Sequence, residues 1–308
     1  MRTSELCDFE KALSEMNNNL SQIVFVFEQF FISNKDNISK HPEMLTTKKY
    51  SENKYASQFN VKLKDLNNQA SLSLDYVFDS LFVFAYAQFE IYLKDVYLFV
   101  KDNINHDLSE LPESRLYEVV LERLGIDTKN DIDNLFVSTF HYFKLRRNAI
   151  MHRDKSRRFQ GALEYLIKGS FSKDPDKRKL FSDNQLNGKQ LNAEWKKYVA
   201  NLKSLGQKGY AVKTIDFAAK DISKVLLSDL FDVFNFYRLY AETIDEIIIN
   251  KADRSKLLNF CKTKYDEFYP NVAGEDFESF SKKFGRISKI ALNLTVEKHE
   301  AEKIYSGV

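Results

Sequence analysis

Residues that break helices are scarce in this chain of 308 residues. It contains 9 glycines and 4 prolines, well below the average usage of a soluble protein. Because these residues punctuate strands and tight turns, their scarcity argues against a β-rich fold and favours long helices. The sequence therefore predicts an all-α fold.

Cysteine and long apolar runs are scarce as well. The two cysteines, Cys7 and Cys261, are too few and too far apart for a disulfide framework or a zinc site. The longest uninterrupted apolar run, 81–87, is much shorter than the roughly 20 residues that span a bilayer. The first residues carry acids and lack the apolar core of a secretion signal. We expect a cytoplasmic protein with no membrane association.

Neither sign of charge dominates, since the formal net charge is +2 at neutral pH. The overall charge therefore gives no argument for nucleic-acid binding, and any such role must depend on a local patch. Hydrophobic residues make up 44% of the chain, too many for a disordered protein. We expect a globular protein with a substantial core.

Apolar residues recur at helical spacing over several stretches. They predict helices over 3–32, 55–100, 115–124, 132–152 and 221–249, with a polar loop over 33–54. The segment 153–204 is mostly polar and irregular, as in an insertion, while YAVKTIDF, 210–217, alternates like a short strand. We expect a helical domain over 1–250 that carries this insertion, and a small helical extension over 251–308 whose role is unknown.

The helix predicted over 132–152 leads into a basic stretch, FHYFKLRRNAIMHRDKSRR, at 140–158. At about 100° per residue, His141, Asn148 and His152 share one face of the helix. Arg147 falls at the edge of the opposite, apolar face, where it must reach water, pair with an acid or point into a cleft. Such side chains can transfer a proton and bind a phosphate. Alternatively, His152 caps the helix dipole and the cations solvate the helix end.

The six residues from Arg147 to His152, RNAIMH, resemble the Arg-polar-x-x-x-His motif of the HEPN superfamily. These are all-helical proteins, many of which are metal-independent ribonucleases that act as toxins or antiviral effectors. An earlier helix contains Glu90-Ile-Tyr-Leu-Lys94, which is similar to the Glu-x-x-x-Lys element of some HEPN branches. The resemblance covers about 4–250 and implies a HEPN-like helical bundle.

The resemblance implies an endoribonuclease without metal or other cofactor, in a toxin–antitoxin or abortive-infection setting. A ribose 2′-OH would attack the adjacent phosphate, leaving a 2′,3′-cyclic phosphate and a 5′-OH. His152 would be the general base or acid, Arg147 would stabilise the phosphorane, and Asn148 would orient either group. The implied partners are RNA, a second copy of the chain that completes a composite site, and an antitoxin or sensor protein.

A second copy is implied because Arg147 and His152 point about 140° apart on one ideal helix, and HEPN nucleases combine motifs from two chains. Glu90 is a further catalytic candidate. It could pair with Lys94 one turn on, or with Arg147 across two packed helices. The candidates for contact with RNA are Lys94, Lys144, Arg146, Arg153, Lys155, Arg157 and Arg158, with Tyr142 to stack on a base. A direct role for His141 stays open.

Other functional classes have less support in the sequence. It contains no Gly-rich phosphate loop of the GxxxxGK[ST] or GxGxxG kind. Its five histidines and two cysteines form no cluster with metal-ligand spacing, so we expect no metal and no cofactor. Two alternatives remain: a non-catalytic HEPN-like module that binds RNA, a nucleotide or a protein, and a helical scaffold without a nucleic-acid role.

Overall fold

Helices make up most of the described chain. The computed structural model describes residues 2–111, 116–126, 131–152, 162–168, 210–216, 224–270 and 274–307, with the backbone alone for 116–118, 131–138 and both strands. The elements are α1 (Ser4–Lys40), α2 (Thr46–Lys49), a 3-10 turn (Leu63–Asp65), α3 (Leu66–Asn103), α4 (Leu116–Arg123), α5 (Asp131–His152), β1 (Ala162–Lys168), β2 (Tyr210–Asp216), α6 (Leu227–Lys251), α7 (Arg254–Phe268), α8 (Phe277–Leu292) and α9 (Lys298–Ser306). The prediction of an all-α class is confirmed.

The first two helix boundaries differ from the sequence prediction. Helix α1 continues past Ile32 to Lys40, so the predicted loop begins too early, and α3 begins at Leu66, so the predicted helix over 55–65 is wrong. Helix α1 has no buried residue beyond Leu20, and an unburied helix needs no apolar stripe. Pro42 follows the last turn and cannot continue it.

Of the later helices, α4 and α5 keep close to their predicted ranges, whereas the predicted start of α6 at 221 is wrong, because 224–226 are not helical and α6 begins at Leu227. Helix α5 occupies almost the predicted range, and α4 is followed by Gly125 at a φ of 65°, the left-handed conformation that glycine adopts readily at a helix end. The region after residue 250 forms three further helices, α7 to α9, as expected for a helical extension.

One antiparallel ladder accompanies the helices. Strand β2 confirms the strand predicted in YAVKTIDF, and it pairs with β1 so that Ala162 lies opposite Asp216 and Lys168 opposite Tyr210. Strand β1 lies inside the segment that we expected to be irregular, so that expectation is wrong for 162–168. The ladder lies beside α5 and α6, and it therefore joins the end of the candidate site helix to the segment before α6.

The core is built around the second half of α3. The fully buried ring of Phe89 stacks on Tyr237 of α6 at 4.8 Å between ring centroids. The same ring contacts Phe9 of α1 at 5.8 Å and Phe140 of α5 at 5.7 Å. Because aromatic pairs favour defined offset or tilted geometries, these contacts fix three helices around α3.

The C-terminal helices extend this core. Phe260 of α7 meets Phe99 of α3 edge-on, with 5.1 Å between the ring centroids. Beside it, Lys256 Nζ donates to the carbonyl of Ile104 at 2.6 Å. One continuous cluster of buried side chains includes residues of the bundle and of α7 to α9. The extension therefore packs directly on the bundle.

Helix α3 also meets the length and composition of a membrane span. The most apolar 18 residues within 63–103 have a mean hydropathy of 1.2. A core helix of a soluble protein meets the same criterion, although only 22% of this stretch is buried here; Phe89, Leu93 and Val96, in the second half of α3, are fully buried. A single helix of this kind does not establish a span. The helix is therefore weak evidence for a membrane location.

A buried carboxyl group ties the start of the chain to α6. Asp245, 1% exposed, accepts hydrogen bonds from the backbone N–H and the hydroxyl of Thr3. The Thr3 hydroxyl oxygen also accepts from Leu6 N at 3.2 Å and so caps α1, while Arg2 N donates to the carbonyl of Leu292 at 2.8 Å. Burial raises the pKa of Asp245 to about 6, although the bonds from Thr3 oppose the rise.

This raised pKa predicts a specific pH dependence of stability. Because the folded pKa of Asp245 lies above the value of about 4 for an exposed aspartate, the folded state binds the proton more tightly. The stabilisation is complete below pH 4 and is lost as pH rises through about 6. We expect the free energy of unfolding of the unmodified protein to fall, relative to that of Asp245→Asn, by on the order of 2 kcal/mol between pH 4 and pH 7.

Urea unfolding of both proteins across this range measures the difference. Asp107→Asn, at an exposed position, is the control and is expected to run parallel to the unmodified protein. A constant difference between Asp245→Asn and the unmodified protein at every pH would contradict the raised pKa.

Candidate functional site

Ring contacts hold helix α5 firmly between α3 and α6. Phe140 of α5 stacks on Tyr86 of α3 with 5.2 Å between the centroids. Phe143, one turn further on, meets Phe82 of α3 at 5.8 Å and Phe236 of α6 at 5.2 Å. The last turns of α5, which carry the RNAIMH residues, therefore follow directly on a rigidly packed segment.

Arg147 lies at the edge of the core, as the sequence predicts. Its side chain is half-buried, and its guanidinium lies over the ring of Tyr86, 5.3 Å from the centroid. Its Nη1 donates to Asn148 Oδ1 at 3.0 Å. Its Nε is buried and has no hydrogen-bond acceptor in the described part of the chain. The guanidinium is thus oriented by an amide and an aromatic face, with donor capacity left over.

A second buried polar group lies close to this arginine. The Tyr237 hydroxyl of α6 is fully buried and makes no hydrogen bond within the described residues. Burial raises the pKa of Tyr237 well above its usual range. Tyr86 and the charge of Glu90 raise it further, whereas Arg147 lowers it. Glu90 and Arg147 therefore act on one hydroxyl where α3, α5 and α6 meet.

Neither of the two ion pairs predicted for Glu90 forms within one chain. The side chain is half-buried, as expected from its place after the apolar run. Within 4.0 Å, the described residues place neither Lys94 nor Arg147 against its carboxylate. Lys94 is exposed to solvent, and the Arg147 guanidinium donates to Asn148 instead. The pairing of Glu90 is a correction to the sequence analysis.

The face that carries the histidines is turned to solvent. His141 and His152 are exposed and Asn148 is half-buried, which confirms the shared polar stripe predicted from helical spacing. His152 is the last residue of α5, and its neighbour Met151 is 56% exposed. An accessible imidazole and an accessible apolar side chain therefore lie together at the helix end.

Arg146 is a structural residue and not an RNA contact, contrary to the sequence prediction. It is 2% exposed. Its Nη2 donates to Asp229 Oδ2 at 2.9 Å and to the carbonyl of Lys224 at 2.7 Å. Asp229 lies in the first turn of α6 and also accepts from Leu226 N at 3.2 Å. This buried ion pair joins the end of α5 to the beginning of α6.

Tyr142 is likewise a core residue, so it cannot stack on an RNA base. It is 1% exposed and lies under the Arg146 guanidinium, 5.7 Å from its ring centroid. Burial raises its pKa to about 12, against the lowering effect of Arg146. Thr139, Tyr142 and Arg146 recur at the three- and four-residue spacing of one helix face, but three polar side chains do not by themselves predict that this face is buried.

The remaining candidates for contact with RNA divide into two groups. Lys94 is exposed and Lys144 is half-buried, so both stay available for such contact. The others lie outside the described residues: Arg153, Lys155, Arg157 and Arg158. Their role in binding RNA stays a prediction.

The described residues contain no group of three or more His, Cys, Asp or Glu side chains that could hold a metal ion.

Comparison with known proteins adds no family: no family model matches the chain, and no curated protein or solved structure matches it either. The all-α class therefore follows from the structure, and the interpretation of the site depends on its side chains alone.

The buried ion pair between Arg146 and Asp229 predicts a large loss of stability on mutation. We expect Arg146→Met to lower the free energy of unfolding by about 3 kcal/mol or more, because it removes the cation from a buried carboxylate. Arg146→Met combined with Asp229→Leu should recover a large part of the loss, since no charge then stays buried.

Urea unfolding measures these differences. Arg286→Met, at an exposed position of α8, serves as the matched control and should change stability by no more than about 0.5 kcal/mol. If Arg146→Met and Arg286→Met behave alike, the ion pair contributes nothing of note.

Proposed function

We propose that this protein is a metal-independent endoribonuclease of the HEPN type, a cytoplasmic toxin or abortive-infection effector that cleaves RNA through attack of the 2′-OH. The observation that carries the proposal is the end of α5. There Arg147, held by Asn148 and Tyr86, lies five residues before an exposed His152 on a helix anchored in the core.

The side chains match the steps of this reaction. His152 takes the proton from the 2′-OH or gives one to the departing 5′ oxygen, because imidazole can do either near neutral pH. Arg147 stabilises the charge that develops on the phosphorane. Its orientation by Asn148 and Tyr86 supports this role, since a guanidinium that is already ordered loses little freedom when it binds phosphate. Asn148 positions the guanidinium.

The proposed site is completed by a second copy of the chain. Arg147 and His152 diverge by about 140° around one helix axis, and Arg147 lies at the core edge while His152 faces solvent. Met151 beside His152 exposes its apolar side chain, and we expect a second chain to cover it at the end of α5. In the dimer, Glu90 is available to a cation of the partner chain, since no cation among the described residues of its own chain pairs with it.

RNA binding is proposed for the basic residues around the site. Lys94 and Lys144 would contact the flanking backbone together with the basic residues after His152, and binding would fall steeply with salt. An antitoxin or a sensor protein would be the further partner that restrains or activates the enzyme.

The alternative is a non-catalytic HEPN-like module that binds RNA, a nucleotide or a protein. It is favoured by the packing of Arg147 on Tyr86 and its bond to Asn148, because a purely structural arginine would make the same contacts. The two functions differ in whether RNA is cut.

A cleavage assay separates the two functions. The protein is incubated with a fluorescent single-stranded RNA in EDTA. We expect cleavage to products with a 2′,3′-cyclic phosphate and no cleavage of DNA of the same sequence, because DNA lacks the 2′-OH. His152→Ala should lower the rate about 100-fold or more, the usual effect of losing a general acid or base, and Arg147→Ala should do the same.

His106→Ala is the control, since His106 is also exposed but lies in the connection after α3 and not on α5; it should cut at the unmodified rate. Equal cleavage by the His152 and His106 variants would point to a contaminating nuclease. Binding without cleavage by the unmodified protein would favour the alternative function.

Mixing two inactive variants tests the composite site. His152→Ala and Arg147→Ala are unfolded together, refolded as a mixture and assayed. If each site takes Arg147 from one chain and His152 from the other, hybrid dimers carry one intact site, and the mixture should regain about a quarter of the unmodified rate. If both residues act from the same chain, every site lacks one of them and the mixture stays inactive.

A further inference from the structure

A cleft opens at the N-terminal end of α3. It lies between the second half of α1, the connection 41–65 and the first turns of α3, and its volume is about 430 Å³, within the range of small-molecule pockets. Aromatic side chains dominate its wall: Phe27, Phe30, Phe31, Tyr50, Tyr55 and Phe59. The ring of Tyr55 is 57% exposed at the mouth.

The wall contains no charged side chain, and several of its polar groups have partners within the protein, including Asn53 Oδ1, which accepts from Tyr55 N at 2.9 Å. The Tyr50 hydroxyl donates to Asn34 Oδ1 at 3.0 Å. The Thr46 hydroxyl donates to the carbonyl of Phe59 and accepts from Val61 N. The Ser73 hydroxyl donates to the carbonyl of Gln69 at 3.0 Å. Lys54 Nζ lies 4.9 Å from the centroid of the Tyr55 ring at the mouth, but a charged group inside the cleft would lose its hydration and meet no charged side chain in the wall.

Backbone hydrogen bonds hold the segment that covers the cleft in place, and this keeps the space open. Leu45 and Lys62 form an isolated antiparallel bridge. Backbone bonds continue it, from Thr46 N to the carbonyl of Val61 at 2.9 Å and from Leu63 N to the carbonyl of Met44 at 2.9 Å. The cover is therefore fixed by its own hydrogen bonds, and the cleft is formed before any ligand arrives.

We propose that this cleft binds a small, uncharged, planar aromatic molecule. The absence of charge in the wall selects a neutral ligand, and the volume limits it to a few fused or linked rings. The surrounding rings provide stacked and edge-on contacts that reward a planar shape. This site is independent of the proposed nuclease, and its occupant need not be related to RNA.

The neutral dye N-phenyl-1-naphthylamine is the probe. Its fluorescence is titrated against the full chain, and we expect saturable binding of one molecule per chain. The anionic dye 8-anilino-1-naphthalenesulfonate should bind at least about tenfold more weakly, because its sulfonate finds no cation in the wall. Ala70→Phe should weaken binding of the neutral dye at least about tenfold, since Ala70 lines the cleft and a ring there fills it.

Ser71→Phe is the matched control. Ser71 is exposed on the same turn of α3 and does not line the cleft. The affinity of the Ser71→Phe protein for the neutral dye should therefore stay within about twofold of that of the unmodified protein. If thermal unfolding shows that Ala70→Phe does not fold, Ser73→Phe, also in the wall, replaces it.

Three kinds of result would overturn the proposal. One is a failure of the dye test itself, that is, no saturable binding of the neutral dye or an equal effect of the Phe substitutions inside and outside the cleft. Another is loss of the dye signal as the protein self-associates in sedimentation experiments, which would make a second copy the occupant. The third is displacement of the dye by an RNA oligonucleotide, which would make the cleft a nucleic-acid surface.

Discussion

The structure depends on a single aromatic junction in α3. The ring of Phe89 touches rings from α1, α5 and α6, and no side chain of another shape could replace it without moving at least one of these helices. The position of Arg147 follows from this junction, because Phe140 and Phe143 fix the height and rotation of α5 immediately before it. Packing in the core thus determines where a functional guanidinium can point.

Two adjacent arginines show what local sequence can and cannot predict. Spacing along α5 correctly placed Arg147 at the edge of the core and the two histidines on one shared face, because helical periodicity is a local property. It could not show that Arg146 would be the more buried of the pair. That outcome depends on Asp229, which is distant in sequence and reaches Arg146 only after α5 and α6 have packed. The absence of a pair between Glu90 and Arg147 has the same non-local origin, since such a pair depends on how α3 and α5 pack.

Helix boundaries were predictable where helices are buried and wrong where they are not. Apolar periodicity reports contact with a core and not helicity itself, so α5 and α6 were recognised while the end of α1 was read as a loop. Its last turns are polar and satisfied locally, with Asn34 donating to the carbonyl of Phe30. Pro42 was the available stop signal. The cleft beneath the connection 41–65 could not be foreseen, since it depends on that misassigned region.

The pairing of β1 with β2 has a consequence for how this chain can vary. The ladder brings Lys168 opposite Tyr210, so the end of β1 and the start of β2 are neighbouring points of the fold. The entropy of closing a loop grows only with the logarithm of its length, so a change in the length of sequence inserted between these two points costs little free energy. The ladder thus gives the helical frame a position where new sequence can be accommodated at low energetic cost.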